Sequence, residues 1–255
     1  MAVKHIPGID RPSWLNKKWL VEAVGSIPPL IVAGIAAYRF WLQPETILLG
    51  YLSAGAVLWL LIASAVKIAH AREQDREASA KRDHDGLKAA LWVLQASAGN
   101  ACGLDPQDKS SALRVTFHRV VPPLDDAQLI EQIVPYVGGA GGGEGRKFSI
   151  RSGITGLCIR TKQPHTMHRQ DENLASYRRA LEAEWSYTPA DAAKLSTDCM
   201  SSMAIPVLDG SGHHALGVIY LDAKAQGLFT DEAVQSAILE SCAGVTRYVS
   251  ERYGK

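Results

Sequence analysis

Cysteine is scarce and scattered in this sequence. The four cysteines, Cys102, Cys158, Cys199 and Cys242, include no Cys-x-x-C pair. That spacing argues against a zinc ribbon and against a disulfide framework, and the thiols read as reduced ones in a domain facing the cytoplasm. An excess of either charge is also lacking. The 27 Lys and Arg against 26 Asp and Glu leave a net charge of +1, so no nucleic-acid partner is expected from global charge. Phosphate-binding loops are missing in their usual form. "GGAGGGEGRK" (138–147) has Arg146 where a Walker loop needs Lys, and Ala140 where it needs its first Gly. The dinucleotide fingerprint fails as well, because Glu144 stands in the place of its third Gly. This stretch is read as a hairpin loop.

What the chain does contain is uneven. Residues 19–69 are mostly apolar, and the rest resembles an ordinary water-exposed protein. Ala23 to Tyr38 carries no charge, and Ile47 to Val66 is a run of 20 uncharged residues. About 20 apolar residues suffice to cross roughly 30 Å of hydrocarbon as a helix. Only "QPET" separates the two runs, so an antiparallel transmembrane hairpin is expected, with spans at about 19–42 and 47–69. Lys4, Arg11, Lys17 and Lys18 precede the pair, and Lys67, Arg72, Arg76, Lys81 and Arg82 follow it. The positive-inside rule then places both ends on the cytoplasmic side of an inner membrane. Pro28 and Pro29 predict a kink in the first span.

The organisation that follows is a tail at 1–18, the hairpin at 19–69, a connector helix at 70–86 and a folded domain at 87–252. The connector is rich in Ala, Glu, Lys and Arg, which favours helix. Its a and d positions are not consistently apolar, so a strong coiled coil is not supported. Leu87, Leu91 and Leu94, with Ala90 and Ala98, give the stripe of a packed helix that Gly99 and Gly103 end. Strands are expected at 112–123, 129–138, 203–208 and 215–221, the last two joined by "DGSG". "KFSIRSGITGLCIRTKQPHTMH" (147–168) reads as strand, turn, short helix, strand. A helix at 171–185 is expected to be capped by Asp171, and a final helix from 230 by Thr230. Such an order indicates an α+β domain.

Two stretches carry a family resemblance. "SGITGLCIRTKQPHTMH" looks like the G-x-x-G…P segment of GAF domains, and "SSMAIPVLDGSGHHALGVIYLDAKAQGLFTDEAVQSAIL" is similar to their closing hairpin. The resemblance covers about residues 85–250 and implies a six-stranded antiparallel sheet with helices behind it and a lid-covered pocket in front. It also implies a sensory module for cyclic nucleotides, bilins, haem or small metabolites, often paired through its terminal helices as a homodimer or higher oligomer. The sequence departs from the family in lacking the Asn-Lys-x-Asp pattern of cyclic-nucleotide phosphodiesterase members and a Cys-His pair for a bilin.

Candidate ligand contacts follow from charge. Residues 146–179 hold eight Lys and Arg against Asp171 and Glu172. The helix start in "RSGITG" adds backbone N–H groups suited to an anion. A cyclic nucleotide or other small anionic metabolite is therefore expected on Arg151, Thr155, Arg169, Tyr177, Arg178 and Ser201. His165 and His168 point to opposite faces of a strand, so they are poor co-ligands and no metal is expected. Cys158 and Cys199 are candidate redox thiols. Some GAF domains reduce free methionine sulfoxide with cysteines in this region, but Cys199 is too close to "MAIPV" for the usual spacing. No catalytic constellation is found. The expected function is a membrane-anchored sensor that signals to the hairpin or to a partner protein in trans. The alternatives are a nucleotide-triggered, membrane-disrupting effector of bacterial defence, and a thiol sensor or reductase.

Overall fold

The computed structural model describes residues 46–169, 173–193, 195 and 197–253, with scattered positions between 24 and 38 that are helical. The chain divides into two compact units between Lys81 and Arg82.

One helix, α1 (Thr46–Ala101), takes in the expected second span, the connector and the packed stripe without interruption. It does not support the expected transmembrane hairpin. Among the described residues no helix is long and apolar enough to cross a membrane. Residues 47–69 form no separate helix, because nothing in the sequence from Lys67 to Gly86 breaks one. Most of the first expected span and the "QPE" turn, as well as the side chains of 47–50, 52, 53, 56 and 57, lie outside the described residues. Tyr51, Leu58, Leu61 and Ile68 are well exposed.

The second unit holds the expected α+β fold. A short helix α2 (Lys109–Ala112) leads into β1 (Leu113–Val120), followed by β2 (Leu129–Gln132) and β3 (Lys147–Ser149). Helix α3 (Gly153–Thr161), β4 (His165–His168), α4 (Leu174–Trp185) and a single turn α5 (Pro189–Ala192) come next. The hairpin β5 (Ser201–Leu208) and β6 (Ala215–Ala223) precedes the final helix α6 (Glu232–Tyr253). The six strands form one sheet in the order β3-β2-β1-β6-β5-β4, antiparallel at every pairing. The strand expected at 129–138 stops at Gln132, because Pro135 has no N–H to donate to a ladder; Val137 returns as an isolated bridge to Val115.

Strand period assigns the two faces. Leu113, Val115 and Phe117 of β1, Met203, Ile205 and Val207 of β5, and Ile219, Leu221 and Ala223 of β6 point one way. They pack with Leu87, Leu91, Leu94 and Ala98 of α1 and Ile238, Cys242, Val245 and Val249 of α6. Such burial, about 25 cal/mol per Å² of apolar surface, is the main stabilising contribution to this unit. Ser97 and Ser241 hydrogen-bond between the two helices at 2.7 Å, and the Tyr248 hydroxyl donates to the Asp83 carbonyl at 2.9 Å. Gly103 at φ +66 lets α1 stop with Leu104 N–H on the Gly99 carbonyl. The capping expected of Thr230 is done by Asp231, whose carboxylate accepts from Ala233 N–H at 2.8 Å; Thr230 instead donates to the Gly227 carbonyl.

Candidate functional site

The opposite face of the sheet is built differently. Val120, Ile130, Ala204 and Val218 share it with Ile154, Cys158 and Ile159 of α3. By the same alternation it also receives Arg114, Thr116 and His118 of β1, Gln132 of β2, Ser202 of β5, and Tyr220 and Asp222 of β6. Thr116, His118, Gln132, Ser202 and Asp222 are all buried. Over this face lies the segment from α3 to α5. Its close seat on the sheet's edge depends on Gly156, where a Cβ would come within 2.4 Å of the Ile150 carbonyl oxygen.

Two polar groups organise the face. At one end Arg114 donates to both oxygens of Asp222, Nε at 2.7 Å and Nη2 at 2.8 Å, and its guanidinium lies 4.6 Å over the Tyr136 ring. Burial raises the Asp222 carboxyl above its ordinary value, and the Arg114 pairing and the Tyr136 hydroxyl offset this only in part. Beside it the Ser202 hydroxyl lies 3.2 Å from Cys199 Sγ and 2.9 Å from the Tyr220 hydroxyl. Toward the other end the His118 ring is stacked between Phe148 and Tyr220, with centroids at 5.2 Å and 5.8 Å. Burial pushes His118 down to about 3, so its imidazole is neutral at physiological pH. Both of its ring nitrogens, and Gln132 Oε1, are buried with no hydrogen-bond partner among the described residues.

The expected ligand contacts fall in three places. Arg169 and Tyr177 come together within the covering segment: the guanidinium sits 4.9 Å over the Tyr177 ring and donates to the Thr197 carbonyl at 3.1 Å. Thr155 is buried in α3, and Arg178, half-buried on α4, leaves its Nε without a partner among the described residues. Arg151 is exposed in the turn before α3, where its guanidinium donates to the Gln128 side-chain oxygen at 3.5 Å. Ser201 faces the α1–α6 side, where its hydroxyl donates to the Ala225 carbonyl at 2.7 Å and accepts from Leu228 N–H. Its neighbour Ser202 takes the inward position, because adjacent residues of a strand point to opposite faces. Arg160, Lys162 and Arg179, three more of the basic cluster, are exposed.

The thiols sit where they stay protonated. Burial pushes Cys158 up to about 12 and raises Cys199, with the nearby Asp222 adding to the effect. No group of ligating side chains suited to a metal is present among the described residues. His165 bonds Thr161 at 2.7 Å while His168 is exposed. A surface groove of about 350 Å³ lies at the end of α3, lined by Asp125, Arg160, Lys162 and His214 among others. None of the expected ligand contacts lines it.

The residues missed from the sequence were Arg114, His118, Gln132, Ser202, Tyr220 and Asp222. A signal was present in "LRVTFHRV": Arg114, Thr116 and His118 alternate with apolar residues in a strand whose neighbours read as covered on both faces. The covering helix α4 is fixed by Asn173, whose Oδ1 accepts from Ala175 N–H at 2.9 Å. Asp171, the expected cap, lies outside the described residues. Asn173→Ala is expected to cost about 1 kcal/mol, checked by urea unfolding of the full chain.

The six antiparallel strands with helices on both faces are the expected α+β fold. No protein-family model and no curated protein matches the chain. Among solved structures, it is similar to a type II free methionine-R-sulfoxide reductase from Thermoplasma acidophilum, at 14% identity over 66% of this chain and 97% of that one, TM-score 0.40. It is also similar to the GAF domain of a phosphoenolpyruvate-protein phosphotransferase from Acinetobacter, at 14% identity over 68% and 96%, TM-score 0.39. A free methionine-R-sulfoxide reductase from Neisseria meningitidis, in complex with its substrate, matches at 16% identity over 66% and 84%, TM-score 0.38.

Proposed function

We propose that the chain is a membrane-attached sensory module whose GAF-like unit binds a small molecule between the sheet and the 153–199 segment. The observation that carries this reading is the polar sheet face. A sheet covered on both sides gains most from apolar side chains, and burying hydroxyl, amide and imidazole groups costs stability unless each finds a partner. Here a run of such groups is held under a cover, and some have no partner among the described residues. A binding site explains why they are kept.

The ligand we propose is nucleotide-like. The Arg169–Tyr177 pair and the Arg178 Nε support an anionic end, and the exposed Arg151, Arg160, Lys162 and Arg179 do not contribute to it. Binding acts by favouring one packing of α1 and α6 over another, which requires different affinities for the two packings. The change passes through these helices, across a homodimer, to the membrane segment or to a partner in trans. Attachment to the inner membrane through 19–69 is supported by the uncharged runs and by Leu58, Leu60, Leu61, Ile62 and Ile68, which lie exposed around more than one side of α1. The reductase and thiol-sensor readings are weaker, because burial holds Cys158 and Cys199 as thiols.

The test is thermal unfolding of the detergent-purified full chain with cyclic mono- and dinucleotides. At a ligand concentration of about 100 times Kd the stabilisation is about 2.7 kcal/mol, a rise of several degrees in Tm. An unchanged Tm with every nucleotide defeats the nucleotide reading. Recovery of the chain in the soluble fraction without detergent defeats the membrane reading.

A further inference from the structure

The groove of about 350 Å³ at the end of α3 is lined by none of the polar residues of the sheet face. Leu124, Ala127 and Ile150 pack there with the buried Ile159 and Ala215 and give it an apolar floor. Its charged groups come from separate elements. Arg160 stands in the last turn of α3 and Lys162 caps that helix. Asp125 and Asp126 stand on the loop between β1 and β2, and His213 and His214 on the turn between β5 and β6. His214 ties the last two elements together. Its Nε2 lies 2.7 Å from Asp125 Oδ1 and its Nδ1 3.4 Å from Asp209 Oδ2.

The opposite charges of this groove stay apart. Among the described residues no ion pair joins Arg160 or Lys162 to Asp125 or Asp126. Arg160 donates one N–H to the Ile150 carbonyl, and the Lys162 ammonium has no partner among the described residues. Asp125 uses Oδ1 for His214, and Asp126 uses Oδ1 for the Gln128 amide at 2.6 Å, so each carboxylate keeps its second oxygen. Lys162 also holds φ +55. Glycine takes that cap conformation at the least cost, and a lysine there keeps a cation at the groove. The helix dipole favours cations in a last turn, but it accounts for neither the two carboxylates nor the apolar floor.

Separated charges of both signs over an apolar floor are complemented by a molecule that carries both charges itself. A simple anion meets the repulsion of Asp125 and Asp126, and a simple cation that of Arg160 and Lys162. The volume is at the small end of ligand sites, roughly 300–1,000 Å³, and suits a guest smaller than a nucleotide. We propose that the groove is a second ligand site, which takes an aliphatic amino acid as its zwitterion. The carboxylate goes to Arg160 and Lys162, the ammonium to the second oxygens of Asp125 and Asp126, and the side chain onto Leu124, Ile150 and Ile159. This site stands independently of the nucleotide reading.

The experiment follows thermal unfolding of the detergent-purified full chain against the concentration of three compounds. They are leucine, isocaproate (leucine without its ammonium) and isoamylamine (leucine without its carboxylate). The expected result is a saturable rise in Tm with leucine, and an apparent affinity about tenfold or more weaker for either analogue, because each gives up the charge-assisted hydrogen bonds of one wall. Lys162→Asn, which tolerates the left-handed cap, and Asp126→Asn are each expected to weaken leucine by about tenfold or more. Arg179→Gln, which removes an exposed cation outside the groove, leaves the leucine shift intact. An equal shift with isocaproate makes the groove an anion site and overturns the zwitterion assignment. An equal shift with isoamylamine overturns it in the other direction. No shift with leucine, or a leucine shift unchanged in both groove variants, overturns the site itself. None of these outcomes touches the sheet-face site, whose test is the nucleotide series.

Discussion

Arg114→Met is expected to cost about 3–5 kcal/mol of folding stability, because it strands the Asp222 carboxylate inside the protein. The Asp222 side chain is only 5% exposed, and both of its oxygens are held by the one guanidinium. Without that partner the carboxylate keeps the Tyr136 hydroxyl among the described residues. Its carboxyl, already raised by burial, then rises further, because the guanidinium that favours the charged form is gone. The double variant Arg114→Met, Asp222→Leu removes both charges and is expected to recover most of the loss, as buried ion pairs replaced by apolar groups of similar volume often do. Urea unfolding of the wild type, both single variants and the double variant gives the coupling directly. A loss below about 1 kcal/mol for Arg114→Met would mean that the pair is hydrated, and that this end of the face is open to solvent.

The second large effect is on acid stability. His118 has an ordinary value of 6.5 and is pushed down to about 3 by burial. Between those two values the unfolded chain binds a proton that the folded chain does not. Stability is therefore complete above about pH 6.5 and falls as the pH is lowered, by about 1.4 kcal/mol per pH unit until it levels near pH 3. The expected loss at about pH 5 is roughly 2 kcal/mol. His118→Phe cannot take up the proton in either state, so its stability loses this slope. Asp222 acts with the opposite sign, since its raised carboxyl is protonated first in the folded chain. His165, lowered by partial burial, acts with the same sign as His118. Both groups are present in the variant and the wild type, so the difference between the two stability–pH curves isolates His118. Parallel curves from about pH 7 to 5 would show that the ring is accessible to protons in the folded state.

Much of the fold was legible because its determinants are local. The period of "LKAALWVLQA" produced the buried stripe of α1. The apolar runs around "DGSG" produced β5 and β6, and the glycines of "SGITG" produced the start of α3. The resemblance carried by the closing hairpin extended this to six antiparallel strands, as found. The second strand read too long, since Pro135 ends the ladder. The expected spans at 19–42 and 47–69 rested on hydropathy alone, and that does not say where a helix stops; α1 runs from Thr46 to Ala101.

The site was legible only in outline. The sequence pointed to a sheet covered by the 153–199 segment, and the structure sets Arg169 against Tyr177. The sequence established neither that Ser202 rather than Ser201 turns inward, nor that Arg114 meets Asp222 across 108 residues of chain. A period of two says which residues share a face. Which face is packed by helices and which is left polar depends on contacts between distant segments, and these exist only once the sheet has assembled. The same holds for His118, whose isolation is a property of the neighbours that the fold places around it.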